Sequence, residues 1–399
     1  MSTPICDFVR GYCESVAVRL HMPGHKGRGE LGCEALDITE VAGADDLACP
    51  EGIILESEEN TTELFGSRHT FYSTGGSSQC VKAMLHLAYI FRPEGATNRV
   101  LAARNAHKSF LHGCALLGLE PVWLYPDAPS PLCSCPVSRE ALERALDAGE
   151  RPCAVYITSP DYLGGVQDIA ALAEVCHARG VPLLVDNAHG AYLKFLAPSR
   201  HPLDLGADMC CDSAHKTLPV LTGGAYLHIS RAAPASLREN AKTAMAMFGS
   251  TSPSYLTLAS LDLCNRYLSD GYRERLREMC VYLDEARKAL TAAGWQIEPS
   301  DPLRLTIKAP SGMTGGQLAD RLRENGVECE YADLDFLVLM LTPENRAADI
   351  ERILHAFGTN DAVYVPQPTL PPATPPRSAS TTSCSCPRWA SCTTAAWCA

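Results

Sequence analysis

The sequence predicts an α/β fold: a doubly wound, mostly parallel β-sheet with helices on both faces, followed by a small α+β domain. Helix and strand patterns alternate from about Leu64 to His228. Most strands in that stretch are apolar throughout, which is typical of a parallel sheet covered by helices on both faces. After about Arg231 the pattern changes to long helices and then to a few strands around one further helix.

The alternating stretch consists of strand–loop–helix units. Residues 63–91 and 98–119 each predict a short strand, a polar turn and an apolar-periodic helix. Short apolar strands that end in polar residues, glycine or proline follow at 121–126, 152–160 and 181–190. Between the last two, residues 168–180 predict a helix closed by a glycine suited to a C-cap.

The second half predicts a different architecture. Residues 237–294 form long helices that are broken at the turn 250–254, and a small unit follows with strands at 304–310 and 328–342 around a helix at 317–326. A chain of 399 residues exceeds a typical single domain. We therefore expect an N-terminal arm at 1–20, a large domain at 21–235, interface helices with the small α+β domain at 236–360, and a tail at 361–399.

The tail differs in composition from the rest of the chain. From Val365 onward it is rich in Pro, Ser, Thr, Ala and Cys and has no hydrophobic period. Such a segment cannot bury enough apolar surface to offset its ordering entropy, so we expect residues 361–399 to be disordered. An alternative hypothesis is an out-of-frame translation of a lost C-terminal region, which the other reading frames of the encoding DNA would test.

Charge and composition exclude several classes of protein. The formal net charge of −12 argues against nucleic acid as a partner and favours cationic small molecules. The N-terminus lacks the apolar core of a signal peptide, and no run approaches the roughly 18 apolar residues of a spanning helix. We therefore expect a cytoplasmic protein with no membrane partner. The 19 cysteines lack paired CxxC spacing, so we expect reduced, mostly buried thiols and no metal site.

Four polar clusters follow predicted strands, where the ligands of open α/β sheets bind. They are residues 73–78, 104–109, 186–189 and 212–218. The first, STGGSS, places glycines, hydroxyls and free N–H groups at a helix N-terminus, which suits a phosphate. In the second, His107 could stack on an aromatic cofactor. In the third, Asp186 could hold a proton on a ring nitrogen, although the same carboxylate could cap the next helix.

Lys216 belongs to the fourth cluster, DSAHKTL, which runs into the apolar stretch LPVLTGGAYLHI. Desolvation lowers the pKa of a lysine and frees its amine to form a Schiff base with a carbonyl. Each cluster alone has a more ordinary explanation, such as a turn, a helix cap or a surface lysine. Together they supply a phosphate cradle, a ring stacker, an acid for a ring nitrogen and an imine-forming lysine, which predicts pyridoxal 5'-phosphate as the cofactor.

Longer motifs point to a family. They are HMPGHKGRG (21–29), LDITEVAGADDL (36–47), PEGII (50–54), RNAHKS (104–109), VDNAHGAY (185–192), SAHKTLPVLTGGAYLHI (213–229) and STSPSY (250–255). With these motifs the chain resembles the major domain of the Orn/Lys/Arg decarboxylases over roughly Leu20 to Phe357. These are pyridoxal-phosphate enzymes, so the resemblance implies an aspartate aminotransferase-like fold (fold type I), with the cofactor bound by the large domain.

The resemblance also implies roles for individual residues. Lys216 would form the Schiff base, Asp186 would pair with the pyridine nitrogen, and His107 would stack on the cofactor ring. His189 would lie close to the cofactor as a further catalytic residue. The residues that would hold the phosphate are Gly76, Ser77, Ser213 and His215, with Ser78 as an additional candidate.

A homodimer or higher homo-oligomer is implied as well, because this fold usually builds its sites across a dimer interface. Ser252 would then reach the cofactor of the partner subunit. His21 and His25 flank a Pro-Gly pair that prevents a helix from presenting both imidazoles to a metal. We expect this N-terminal arm to pack near the mouth of the active site and the dimer partner.

The activity implied by the resemblance is decarboxylation of arginine, lysine or ornithine to the corresponding amine, a polyamine or its precursor. Which amino acid is the substrate stays open at this stage. Family members continue into a C-terminal region that the tail replaces here. The alternatives are therefore a cofactor-binding but poorly active or regulatory homologue, or another reaction of the same fold, such as transamination.

Overall fold

A seven-stranded sheet forms the centre of the computed structural model, which describes residues 1–358. Its strands are β1 (His69–Ser73), β2 (Arg99–Ala103), β3 (Glu120–Leu124), β4 (Ala154–Thr158), β5 (Leu183–Asp186), β6 (Met209–Asp212) and β7 (Ala225–Ile229). They lie in the order β1-β7-β6-β5-β4-β2-β3. β7 runs antiparallel to both of its neighbours, β1 and β6, and the other neighbouring pairs are parallel. The predicted mostly parallel α/β sheet is confirmed, whereas the predicted tail at 361–399 lies outside the described residues.

Twelve α-helices accompany this sheet within residues 1–358. They are α1 (Pro4–Glu14), α2 (Ile53–Phe65), α3 (Ser77–Ile90), α4 (Lys108–Leu117), α5 (Arg139–Asp147), α6 (Ile169–Ala178), α7 (Ala214–Thr217), α8 (Ala235–Ala246), α9 (Tyr255–Ser269), α10 (Tyr272–Ala292), α11 (Gly315–Glu324) and α12 (Ala347–Phe357). The predicted break in the long helices falls between α8 and α9, where the Ser254 hydroxyl caps α9 by accepting from the Thr257 amide.

Helices cover both faces of the large sheet. Val155 and Ile157 of β4 pack in one apolar layer with α5 and α6. Tyr156, between them in sequence, packs in the opposite layer with α3, α4 and α8. Successive strand residues point to opposite faces, so a strand buried on both sides must be apolar throughout. This is the physical basis of the apolar runs in the sequence.

A second, smaller sheet follows the large one in the chain. It contains β8 (Ile297–Glu298), β9 (Arg304–Lys308), β10 (Tyr331–Ala332) and β11 (Phe336–Met340), in the order β10-β11-β9-β8 and antiparallel throughout. α11 lies between β9 and β10 in the chain and packs on β11, as the predicted α+β pattern requires. The exact domain boundaries proposed from the sequence stay predictions.

The cysteines of the described residues are free thiols, as the sequence predicts. The cysteines of residues 1–358 form no disulfide, and most of them are buried. Burial raises the pKa of the Cys210 and Cys211 thiols well above the ordinary value, which keeps them protonated. Among the helices of the same residues, none has the length and apolar character needed to cross a bilayer.

Candidate active site

Lys216 lies in the short helix α7, directly after the carboxyl end of β6. Its Nζ is 2.9 Å from Nε2 of His189, on the loop that follows β5. Desolvation lowers the pKa of Lys216, partly opposed by the negative charges of Asp186 and Glu330. A lysine in this setting differs from an ordinary surface lysine, because its amine can lose its proton more easily and act as a nucleophile.

His189 is the immediate neighbour of this amine. It is buried, and desolvation together with the charges of Arg304 and Lys216 lowers the pKa of its imidazole well below the usual value. The ring is therefore neutral and can accept a hydrogen bond from Lys216 at Nε2, which places its own proton on Nδ1. Within residues 1–358, this Nδ1 is buried without a hydrogen-bond partner.

Asp186 ends β5 and is almost fully buried. One carboxylate oxygen accepts a hydrogen bond of 2.8 Å from the Tyr156 hydroxyl, and the other accepts from the backbone N–H of Ala188 at 3.2 Å. No lysine, arginine or histidine of the described chain forms an ion pair with this carboxylate. A buried acid without a cationic partner is suited to a cation that arrives with a ligand, such as a protonated ring nitrogen.

Gly76 and Ser77 begin α3 beside the strand end of β1. Gly76 is the N-cap, with φ 70° and ψ 179°, and a side chain at this position would meet no atom within 4 Å. Its own N–H donates to the Gly223 carbonyl at 2.8 Å. The Ser213 hydroxyl donates to the Ser77 hydroxyl at 2.9 Å, which joins the first and fourth sequence clusters. An anion at this helix terminus would therefore meet the hydroxyls of Ser77 and Ser213 and the amides that follow Gly76. The phosphate contact of Ser78 stays a prediction.

The imidazoles of His107 and His215 each form a hydrogen bond with the backbone. His107 caps α4, its Nδ1 accepting from the Ser109 amide, and partial desolvation lowers its pKa although the residue is exposed. The charges of Asp186 and Lys216 both act on this imidazole, and its assignment to the cofactor site stays a prediction. His215 donates from Nδ1 to the Gly224 carbonyl at 3.0 Å.

Ser252 and the two N-terminal histidines lie apart from this cluster. Within residues 1–358, the backbone N–H and carbonyl of Ser252 form hydrogen bonds with the hydroxyl of Ser250 in the same exposed turn. His21 contacts the Tyr12 hydroxyl at 2.6 Å, and His25 Nε2 lies 3.2 Å from the Asp37 carboxylate. Each histidine thus has its own partner. The partner-subunit roles expected for Ser252 and for the arm stay predictions.

Comparison with known proteins identifies the family. The Orn/Lys/Arg decarboxylase major domain matches residues 3–309. The chain belongs to the Orn/Lys/Arg decarboxylase family. It is 31% identical over 408 residues to an arginine decarboxylase of Halalkalibacterium halodurans, covering 92% of this chain and 82% of that protein. It is likewise 31% identical to the uncharacterized protein YaaO of Bacillus subtilis, covering 86% and 74%.

Solved structures show the same fold. The lysine decarboxylase LdcF of Francisella novicida superposes with a TM-score of 0.76 at 18% identity, covering 89% of this chain and 59% of that one. The constitutive lysine decarboxylase of Escherichia coli gives 0.73 at 21% identity, covering 89% and 60%. The chain thus spans about three fifths of these two solved lysine decarboxylases. Members of this decarboxylase family are amino-acid decarboxylases and use pyridoxal phosphate, as the sequence predicts.

The described residues fit this cofactor. The open space at Gly76, beside serine hydroxyls and a helix N-terminus, suits a phosphate. Asp186 would offer a buried carboxylate to the pyridine nitrogen of a bound cofactor, and Lys216 would offer a desolvated amine to its aldehyde. The unpartnered Nδ1–H of His189 is a donor for an oxygen of a bound ligand. These features come from three strand ends and one helix terminus, as expected for a ligand site of an open α/β sheet.

Sequence reasoning missed several residues around this cluster. Tyr156 holds Asp186 and is hidden in an apolar strand, where no local pattern marks it. Arg304 is fully buried on β9, its Nε and Nη2 have no partner in the described chain, and its charge lowers the pKa of His189 and of Lys216. The one feature of the sequence that could have indicated Arg304 is its position as a basic residue at the start of an apolar strand.

Asp212 was missed although it lies in the DSAHKTL motif. It is fully buried and accepts from His201 at 3.0 Å, from His228 at 3.1 Å and from the Asn187 amide at 2.7 Å. Burial alone would raise the pKa of this carboxyl, but the two imidazoles outweigh burial and lower it. Asp212 therefore ties the loop after Asp186 to the strand that leads to Lys216.

The same region contains ligand types that could hold a metal ion, namely His201, Cys210 and Asp212. The contacts already described account for this grouping in another way. His201 directs its Nε2 to Asp212, and the same carboxylate also accepts from His228 and from the Asn187 amide. We therefore interpret the group as a buried hydrogen-bond network.

Proposed function

We propose that this protein decarboxylates a basic amino acid, with arginine as the first candidate, using pyridoxal phosphate held by Lys216. The observation that carries the proposal is the desolvated Lys216 amine, 2.9 Å from the neutral imidazole of His189 and near the buried Asp186. Arginine is preferred because relatives named arginine decarboxylase match about nine tenths of this chain at 25–31% identity. The relative named lysine decarboxylase LdcA matches 72% of it at 24%.

Each residue of the cluster has a defined task in this proposal. When bound, the cofactor accepts the electrons of the bond broken at the substrate Cα. Asp186 keeps a proton on the ring nitrogen, and Lys216, once released, carries a proton to Cα. His189 accepts from the Lys216 amine and holds it in place. Arg304 adds positive charge that helps to keep both the amine and the imidazole neutral.

A second candidate function uses the same cofactor site. The alternative is a protein that binds the cofactor but turns over slowly, or that has a regulatory role. Transamination by the same cluster would be recognised by a keto-acid product. We also propose a homodimer, and the only support for it is the type of fold.

Replacement of Lys216 by alanine tests the proposal. Purified holoprotein is incubated separately with arginine, lysine and ornithine, and CO2 and amine are measured. We expect release from the wild type and a loss of roughly 100- to 10,000-fold or more in Lys216→Ala, since one group serves as both attachment point and proton donor. The visible absorbance of the lysine-bound cofactor should disappear in the same variant.

The matched control is Lys288→Ala, an exposed lysine on α10. It should keep both the absorbance and the activity. Cofactor binding without CO2 release from any of the three amino acids would overturn the proposed activity and favour the second candidate.

A further inference from the structure

Tyr162 connects the active-site cluster to the surface. It lies in the turn after β4, and its ring contacts the ring of His189 edge-on, with centroids 5.1 Å apart and an interplanar angle of 65°. Its hydroxyl donates to Oε1 of Glu330 at 3.2 Å. Because His189 also contacts Lys216, a continuous set of contacts runs from the reactive amine to this carboxylate.

The position of Tyr162 is set by the turn that carries it. The Asp161 carboxylate accepts from the amides of Leu163 at 2.9 Å and Gly165 at 2.8 Å, which fixes the turn on both sides of Tyr162. The ring of Tyr331 packs edge-on against Tyr162 at 5.0 Å. A ring held in this way fixes the direction in which its hydroxyl points.

Glu330 is an exposed carboxylate on a fixed backbone. Its N–H donates to the Val338 carbonyl at 3.0 Å, at the edge of the small sheet. In residues 1–358, no cationic side chain pairs with its carboxylate, whereas Glu328, two residues earlier, pairs with Arg323 at 3.0 Å. The negative charge of Glu330 nevertheless acts on Lys216 and raises the pKa of its amine. The carboxylate is therefore both unpaired and within electrostatic reach of the reaction centre.

We propose that Glu330, oriented by Tyr162, recognises the cationic end of the substrate side chain and so selects basic over neutral amino acids. The inference rests on the proposed function and specifies its substrate class. Contacts run from Lys216 through the rings of His189 and Tyr162 to Glu330. The carboxylate is therefore removed from the amine, as a partner for a charge several bonds away from the substrate Cα would need to be. A guanidinium can bind such a carboxylate through two parallel hydrogen bonds.

The test compares arginine with citrulline, its neutral isostere, in the holoenzyme. Glu330→Gln keeps the shape of the side chain and removes its charge. We expect kcat/KM for arginine to fall roughly 10- to 100-fold, mainly through KM, because a hydrogen bond to a charged group is lost. The preference for arginine over citrulline should fall by the same factor. Tyr162→Phe, which keeps the ring and removes the hydroxyl, should raise KM several-fold with little change in kcat.

Glu328→Gln is the matched control and should leave both constants unchanged. Arginine affinity is measured as well, from the change in cofactor absorbance on titration, so that the inference does not depend on turnover. An unchanged arginine affinity and an unchanged preference in Glu330→Gln would overturn the inference and leave the proposed function intact. Arginine binding without CO2 release from arginine, lysine or ornithine in the wild type would overturn the proposed function, while the affinities would still decide the role of Glu330.

Discussion

Gly76 shows how one residue can determine whether a site forms. Its φ of 70° with ψ of 179° lies in a region that residues with a side chain essentially never occupy. This conformation places the chain so that Ser77 begins α3 within hydrogen-bond distance of Ser213. The glycine therefore shapes the helix terminus where we place the phosphate, and does so through its backbone.

Gly76→Ala should weaken cofactor binding, because the strain of about 1–3 kcal/mol displaces the start of α3. We expect an affinity loss of roughly tenfold, measured by titrating the apoprotein with pyridoxal phosphate. Gly95→Ala is the matched control, since Gly95 also has a positive φ, of 76°, and open space at its Cβ. An equal loss of affinity in both variants would contradict the assignment of the phosphate site.

At the scale of elements, α1 is held to α9 by a buried carboxylate. Asp262 of α9 accepts from the Cys6 amide at 2.9 Å and from the Ser57 hydroxyl at 2.6 Å. Desolvation raises the pKa of Asp262 to about 6, despite these hydrogen bonds. Because the folded pKa lies above the ordinary value, the protonated form is favoured in the fold. The contribution of this raised pKa to the free energy of unfolding is fully present below pH 4 and is lost as the pH rises through 6.

Asp262→Asn should therefore alter the pH dependence of stability. Asparagine cannot ionise, so the free energy of unfolding of the variant relative to the wild type should rise by up to about 3 kcal/mol between pH 4 and pH 7. Denaturant unfolding at a series of pH values measures this difference. Asp270→Asn, which changes an exposed carboxylate just after the same helix, is the control. A pH-independent difference for Asp262→Asn would refute the prediction.

At the scale of the whole molecule, the turn after β4 joins the two sheets. The Thr306 hydroxyl donates to the Leu163 carbonyl at 2.7 Å, and the Asp301 amide donates to the Gly164 carbonyl at 2.8 Å. Arg304 donates to the Asp161 carbonyl. The small sheet thus holds the turn that carries Tyr162, so residues from both sheets determine the environment of Lys216.

Thr306→Val should loosen this junction. The change keeps the shape of the side chain but leaves the buried Leu163 carbonyl without a partner, at a cost of about 1–3 kcal/mol. Hydrogen exchange of the Asp301 amide should accelerate accordingly. Thr306→Ser keeps the hydroxyl and should retain slow exchange. Similar exchange rates in the two variants would show that this hydrogen bond does not join the sheets.

Much of the fold and part of the site could be predicted from the sequence. The apolar runs of β4 and β5 and the polar residues that end them are local patterns, so the α/β class and the candidates Asp186 and Lys216 followed directly. The antiparallel direction of β7 could not be predicted, because the sequence of an apolar strand does not indicate the direction in which the strand runs. Tyr156 was missed for the same reason, since it is one more buried residue in an apolar run.

The sequence by itself determined the fold class, the cofactor and the family, because strand and helix periods and the motif around Lys216 are encoded by neighbours in the chain. The tertiary structure alone decided which distant residues meet. Ser77 and Ser213 are 136 positions apart, and Tyr162 and Glu330 are 168 apart. Such contacts depend on how layers pack and on which side chains lose water. The neutral imidazole of His189 is a consequence of burial, and within residues 1–358 the unpaired charge of Glu330 is a consequence of packing. No local pattern in the sequence records either of them.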